Sequence, residues 1–238
     1  MIAVFAIDAL EYALVEELKC RNLMQQFYGK TDISEFSQPR TMVLWSSFIT
    51  GKNKEKDVLA GGNREMWEKR WPVKETFFSR FKSPVVIDLP GFSYDVKVHG
   101  ESRKLLKSFF EAASGEEKEK IRKQYNQDAF DHHKKVRGQF LKSIEEGGHD
   151  FVLGYFSVAD VVGHLNFGNK QVMKMIYQEL DEIAGKIKEK CEKLLVLSDH
   201  GMLAVGQFGD HSNYGFWSAN FEVNFKNPRI TEIGRILK

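Results

Sequence analysis

The chain has 238 residues, 42% of them hydrophobic and 29% charged, which suits one large soluble α/β domain or a core with a modest insertion. A net charge of +2 gives no electrostatic case for a nucleic-acid or membrane partner, and no apolar run reaches the roughly 18 residues of a spanning helix. Only Cys20 and Cys191 occur, without a CxxC, so no disulfide framework is expected and a reducing, cytoplasmic location is the simpler reading.

Residues 2–7 form a near-continuous apolar run, as expected for a strand covered on both faces. The run stops at Asp8 and has no basic leader, so it reads as a buried first strand and not as a signal peptide. Leu10, Ala13, Leu14 and Leu18 repeat at helical spacing and predict a crossover helix over 9–28. Pro39 marks a loop, and 41–50 reads as a short helix closed by Gly51. Residues 52–72 look irregular, and 85–89 predict a strand with Pro90-Gly91 as its exit turn.

From 101 to 147 the chain is rich in Lys, Glu and Gln. Apolar stripes at Leu105, Leu106, Phe109 and Phe110, and at Phe130, Val136, Phe140, Leu141 and Ile144, predict amphipathic helices that break near Ser114-Gly115. We read 92–147 as a small helical insertion. Strands are expected at 151–157 and 194–198, a long helix at 170–190, a weaker β-like stretch at 215–225 and a short helix from about Thr231. The expected fold is a single α/β domain over 1–238, a mostly parallel sheet with helices on both faces.

Three acids fall at or just beyond predicted strand ends: Asp8, Asp160 and Asp199. His164 follows Asp160 at i+4, His200 adjoins Asp199, and His211 lies in a Gly/Asp/Ser/Asn-rich loop. Ligands of an open parallel sheet bind at the carboxyl ends of its strands, so these residues can converge on one edge. Carboxylates and imidazoles together are metal ligands, and six of them suit two ions, zinc first, with manganese or iron possible. Two ions can clamp the attacking and leaving oxygens of a displacement at phosphorus. Thr41, opening a short helix after a loop, is the candidate nucleophile, although spacing alone does not separate it from Ser46 or Thr50.

Four segments together resemble the alkaline phosphatase superfamily, in its type I phosphodiesterase/nucleotide pyrophosphatase branch. They are Ala6-Ile7-Asp8-Ala9-Leu10, the stretch from Pro39-Arg40-Thr41 to Thr50-Gly51, Asp160-Val161-Val162-Gly163-His164, and Ser198-Asp199-His200-Gly201 with the later His211. The resemblance implies an alkaline phosphatase-like three-layer α/β/α sandwich. It implies Thr41 as nucleophile, forming a phospho-threonine intermediate. Asp160, His164 and His211 would bind one zinc, and Asp8, Thr41, Asp199 and His200 the other. An Asn that holds a phosphoryl oxygen in family diesterases maps to Asn63. The implied substrate is a small-molecule phosphate ester or nucleotide.

The sequence departs from the family pattern in places. Val43 stands where many relatives have Pro, the His-Gly-Ile stretch after the Thr-Gly is missing, and the gap from His200 to His211 is short. The alternatives are a phosphomonoesterase, a phosphonate hydrolase, a phosphoglycerate mutase-like enzyme, or a metal-stabilised binding protein with little turnover. Trp45 is a candidate for the substrate pocket. His132 and His133 read as part of a charged helix and His99 and His149 as loop residues, none with a metal role. Oligomeric state is not legible.

Overall fold

The N-terminal apolar run forms β1 (Ile2–Ile7), with every residue buried. Ala3, Phe5 and Ile7 enter one hydrophobic core, and Ile2, Val4 and Ala6 the other. Successive strand residues face opposite ways, so a strand covered on both sides has no polar alternation. In this computed structural model, residues 1–224 and 226–237 are described, apart from the side chains of Asn63 and Arg64.

In chain order β1 is followed by α1 (Tyr12–Glu17), α2 (Arg21–Met24), β2 (Phe27–Asp32), α3 (Thr41–Thr50), α4 (Glu55–Leu59) and α5 (Gly62–Met66). Next come β3 (Pro84–Ile87), α6 (Val96–Glu111), α7 (Gly115–Glu146), β4 (Phe151–Phe156), α8 (Val158–Asn166) and α9 (Lys170–Lys188). The chain finishes with β5 (Lys193–Ser198), β6 (Met202–Val205), β7 (Phe208–His211), β8 (Tyr214–Ala219) and α10 (Ile230–Ile233). The main sheet has the order β2-β8-β5-β1-β4-β3. β5, β1, β4 and β3 are parallel, while β8 runs antiparallel to both β5 and β2. The carboxyl ends of the four parallel strands therefore share one edge.

Helices cover both faces, giving the three-layer α/β/α sandwich expected from the sequence. One core lies beneath α1, α2, α7, α8 and α9, the other beneath α3 and α10. The 32-residue α7 lays Tyr125, Ala129, Val136, Phe140 and Ile144 along one buried stripe. It sits close to the sheet because Gly154 has no side chain: a Cβ there would meet the Phe140 ring at 2.7 Å.

Several elements differ from the sequence expectation. The helix expected over 9–28 is two short helices and a strand. Lys19 and Gln25 take positive φ, 54° and 46°, and interrupt it. Asp181 also accepts the amides of Asn22 and Leu23 at 2.8 and 2.9 Å, anchoring the second piece to α9. Residues 27–32 then pair with β8 as an outer strand. The irregular stretch 52–72 contains α4 and α5. The loop ahead of His211 is a β6–β7 hairpin, turned by Gly206 at φ 63°. His99 lies on α6, buried, and not in a loop.

Candidate active site

Each strand exit on the shared edge delivers an acid. Asp8 follows β1, Asp199 follows β5, and Asp160 enters in the first turn of α8 after β4. Thr41 is the first residue of α3, and its Oγ1 donates to Asp8 Oδ2 at 3.5 Å. Tyr155 also donates its hydroxyl to Asp8 Oδ2. Gly215, near the start of β8, lets that strand lie against the exit of β5 at Asp199, because a Cβ there would lie 2.2 Å from the Ser198 carbonyl oxygen and 2.8 Å from that of Asp199.

The three histidines are oriented in one way. Nδ1 of His164 pairs with the Gly209 carbonyl at 3.1 Å, that of His211 with Pro39 at 2.9 Å, and that of His200 with Gly201 at 3.0 Å. A carbonyl can only accept, so each Nδ1 carries a proton. In the neutral ring Nε2 is then left with its lone pair, the ligand form of imidazole.

Two ligand groups result. In the first, Asp160 Oδ1, His164 Nε2 and His211 Nε2 stand 3.3 Å apart on all three sides. Ligands at about 2.0–2.1 Å from a tetrahedral zinc are separated by about 3.3 Å, so this triangle has the dimensions of one face of such a site. In the second, His200 Nε2 is 3.2 Å from Asp8 Oδ1 and 3.6 Å from Asp199 Oδ2. The His200 and His211 rings stack at 3.9 Å, so the groups adjoin. Asp8 Oδ1, Asp160 Oδ1, both Asp199 oxygens and His200 Nε2 are buried without a hydrogen-bond partner among the described residues. Unpaired buried polar atoms are costly, and the donor set fits two divalent cations.

The electrostatics differ between the groups. Burial, reinforced by the Asp160 charge, pushes Asp8 up to about 7, and burial with the Asp8 charge pushes Asp199 well above the usual carboxylate range. Burial also pulls His200 down to about 3, leaving it neutral. Around Asp160 burial acts in the same way but is outweighed. His164 and His211 hold the Asp160 carboxyl well below its ordinary value, and the carboxylate in turn lifts His211 to about 9.

A cavity of about 230 Å³ opens over Asp8, Thr41, Asp160, His164 and His211. Trp67, Tyr94 and Arg103 form part of its wall. The Trp67 and Tyr94 rings stack at 6.0 Å, and the Arg103 guanidinium lies 3.8 Å over Trp67. Asp8, Thr41, Asp160, His164, Asp199, His200 and His211 thus come together. Asn63 lies on α5, and its side chain is outside the described set. Trp45 does not line the cavity: it is fully buried on α3, edge-on to Tyr155 and Phe48 at 5.6 and 5.8 Å. Its apolar bulk is used in the core. The sequence reading missed Tyr94, Arg103 and Tyr155; a tyrosine inside a strand that exits to the site was the one available signal.

The sequence matches the type I phosphodiesterase/nucleotide pyrophosphatase family over residues 21–217. No curated protein matches the chain. Among solved structures, murine ectonucleotide pyrophosphatase/phosphodiesterase 5 is similar at a TM-score of 0.50 and 12% identity, over 87% of this chain and 58% of that one. An inactive variant of the murine protein in complex with AMP matches with the same values, TM-score 0.50, 12% identity, 87% and 58%. The human counterpart gives a TM-score of 0.48 at 12% identity, over 86% and 58%. The chain therefore spans less than two thirds of the length of these structures, and the likeness shows a shared fold.

Proposed function

Because the chain belongs to the type I phosphodiesterase/nucleotide pyrophosphatase family of the alkaline phosphatase superfamily, we propose that it hydrolyses small-molecule phosphodiesters or pyrophosphate bonds, nucleotides among them. The observation that carries this reading is the 3.3 Å triangle of Asp160, His164 and His211 beside Thr41, Asp8 Oδ1 and the two Asp199 oxygens, which have no hydrogen-bond partner among the described residues. Asp160, His164 and His211 would hold one divalent ion, and Asp8, Thr41, Asp199 and His200 the other. Zinc is the best match to these ligands, with manganese and iron as alternatives. When bound, the ions supply Lewis acidity, which eases deprotonation of hydroxyl and water and offsets charge on the phosphoryl oxygens.

The chain's own residues supply position and sequence of events. Thr41 Oγ1 forms a bond to phosphorus as the bond to the leaving alcohol or phosphate breaks on the opposite side, giving a phospho-threonine diester. Water then displaces Thr41 and regenerates the hydroxyl. The first-turn amides of α3, which lack partners within the helix, would be available to the developing phosphoryl charge. Tyr155 fixes Asp8, and the carbonyls of Pro39, Gly201 and Gly209 fix the three imidazoles. Trp67 and Tyr94 offer a flat aromatic wall for a nucleobase or aryl group, and Arg103 a cation for a further phosphate. The two cysteines, free and buried, are consistent with a cytoplasmic setting.

Zinc-loaded protein is expected to cleave an aryl phosphate diester faster than the matched monoester. Thr41→Ala should lower turnover by at least ~10³-fold while the zinc content stays largely intact, because three ligands of the second ion remain. Full activity in the variant would overturn the nucleophile, and monoester preference would change the substrate class. Zinc binding without turnover on either substrate would point to the binding protein.

A further inference from the structure

A second group of ligand-type side chains lies at the exit of β3. Asp88 Oδ2 stands 2.8 Å from His99 Nε2 and 2.7 Å from His132 Nε2. The three residues come from three elements, the turn after β3, α6 and α7, and one ligand atom from each lies within 4.8 Å of the others. Asp88 and His99 are buried. Asp88 adopts φ 56°, a left-handed conformation that a residue with a side chain rarely takes. Its other oxygen, Oδ1, accepts the Asp95 amide at 2.8 Å, which fixes the direction of the carboxylate. Backbone strain of this kind persists where the surroundings over-determine it, and it concentrates at functional sites.

Hydrogen bonding alone leaves two N–H donors crowded on a single oxygen, with the rings edge to face at 4.9 Å. Two imidazoles and a carboxylate directed at one point are a ligand set for zinc or ferrous iron. Replacing the two shared protons by an ion needs the ligand atoms to part from 2.7–2.8 Å to about 3.3 Å. A cavity of about 120 Å³, lined by Asp88, Ser93, Asp95 and His132 among others, adjoins the cluster and leaves room for water as a fourth ligand.

We propose that Asp88, His99 and His132 form a third divalent-cation site, of the zinc class, that fastens α6 and α7 to the carboxyl edge of the sheet. It shares no residue with the groups around Thr41 and does not rest on the hydrolase reading. His99 stacks on Tyr94 at 4.1 Å, and both line the cavity above Thr41. The ion therefore also sets the place of that aromatic wall.

The test is zinc stoichiometry after chelator stripping, reloading and dialysis of the full chain. His132→Gln retains an N–H donor for Asp88 and so preserves a hydrogen-bonded clasp, but it is a poor metal ligand. His132→Cys removes the α7 half of the clasp and supplies a thiolate. The Gln variant should hold one ion per chain fewer than the parent and the Cys variant should hold as many as the parent. Cobalt-loaded His132→Cys should show a thiolate-to-cobalt charge-transfer band that the parent lacks. Equal zinc counts in parent and Gln variant, or no band in the Cys variant, would overturn the site and leave a hydrogen-bonded clasp. Since the count is read as a difference, it is independent of how many ions bind near Thr41.

Discussion

Asp160 and Asp199 are both acids at strand exits on one sheet edge, yet they are driven in opposite directions. Burial pushes each upward. Asp160 faces His164 and His211, which overcome burial and hold it ionised. Asp199 faces Asp8, a second buried acid, and is pushed further up. The half around Asp160 can neutralise itself and is partly open, with its side chains 14–24% exposed. The half around Asp199 is 0–2% exposed and has no charge of its own to offset two carboxylates. The sign of the neighbour decides the protonation state where burial is shared, and only one half depends on a cation for its charge balance.

The sharpest way to break this contrast is to remove one ligand from each half. Asp199→Ala should weaken zinc retention by about 10²–10³-fold, because a buried, unshared charge partner is lost, and His164→Ala by clearly less. Competition with a chromogenic chelator measures both, and equal losses would show the halves to be equivalent.

Next in size is pH dependence in the metal-stripped protein. Asp8 rises from 3.8 to about 7 in the fold. Its contribution is therefore most favourable below pH 3.8 and is lost as pH rises through 7. Asp8→Asn should match the parent in stability near pH 4 and exceed it above pH 7 by up to a few kcal/mol, read from paired denaturant melts. His211 rises from 6.5 to about 9, so its stabilising contribution is full below pH 6.5 and fades as pH passes 9. His211→Gln should destabilise the stripped protein at pH 6 and change little at pH 10. Stability changes of the same sign in the two variants, relative to the parent, would contradict the asymmetry.

The smallest effect concerns the cavity wall on the open side. Trp67→Ala should raise KM for a nucleotide or aryl diester roughly 3–10-fold, about the worth of one aromatic stacking contact, with zinc content intact. A change in zinc content would show that this wall supports the ligands directly.

What the sequence made legible follows from the physics of each part. Asp8 and Asp199 could be placed because β1 and β5 are buried on both faces and stand out as unbroken apolar runs ending in a charge. Thr41 could be placed on a helix start because Pro39 marks the loop before it and Gly51 the helix end. β2 was hidden because it is an outer strand of alternating, half-exposed residues, Phe27-Tyr28-Gly29-Lys30-Thr31-Asp32, held by β8 far along the chain. The hairpin carrying His211 was hidden because strands of four residues give too little alternation, although Gly206-Gln207 between Val205 and Phe208 is a usable turn signal. Trp45 and Trp67 are alike on paper, and only packing separates the core residue from the wall. Asp88, His99 and His132 have no common spacing, so their meeting depends on how α6 and α7 dock.

The central place of β1 has a consequence for the order in which the molecule assembles. Its two neighbours, β4 and β5, lie in the second half of the chain, and the Leu10 amide reaches the Ser198 hydroxyl across 188 positions of sequence. No local segment can bring Asp8 to Asp199 and His200. Closing such loops is entropically slow, and the ligands of the Asp8 half exist as a set only after both parallel pairings have formed. A cation at the Asp8 half therefore cannot nucleate this fold. It arrives last, on a chain that has already brought two carboxyl groups together unaided, and its uptake after refolding is a clock for completion of the central sheet.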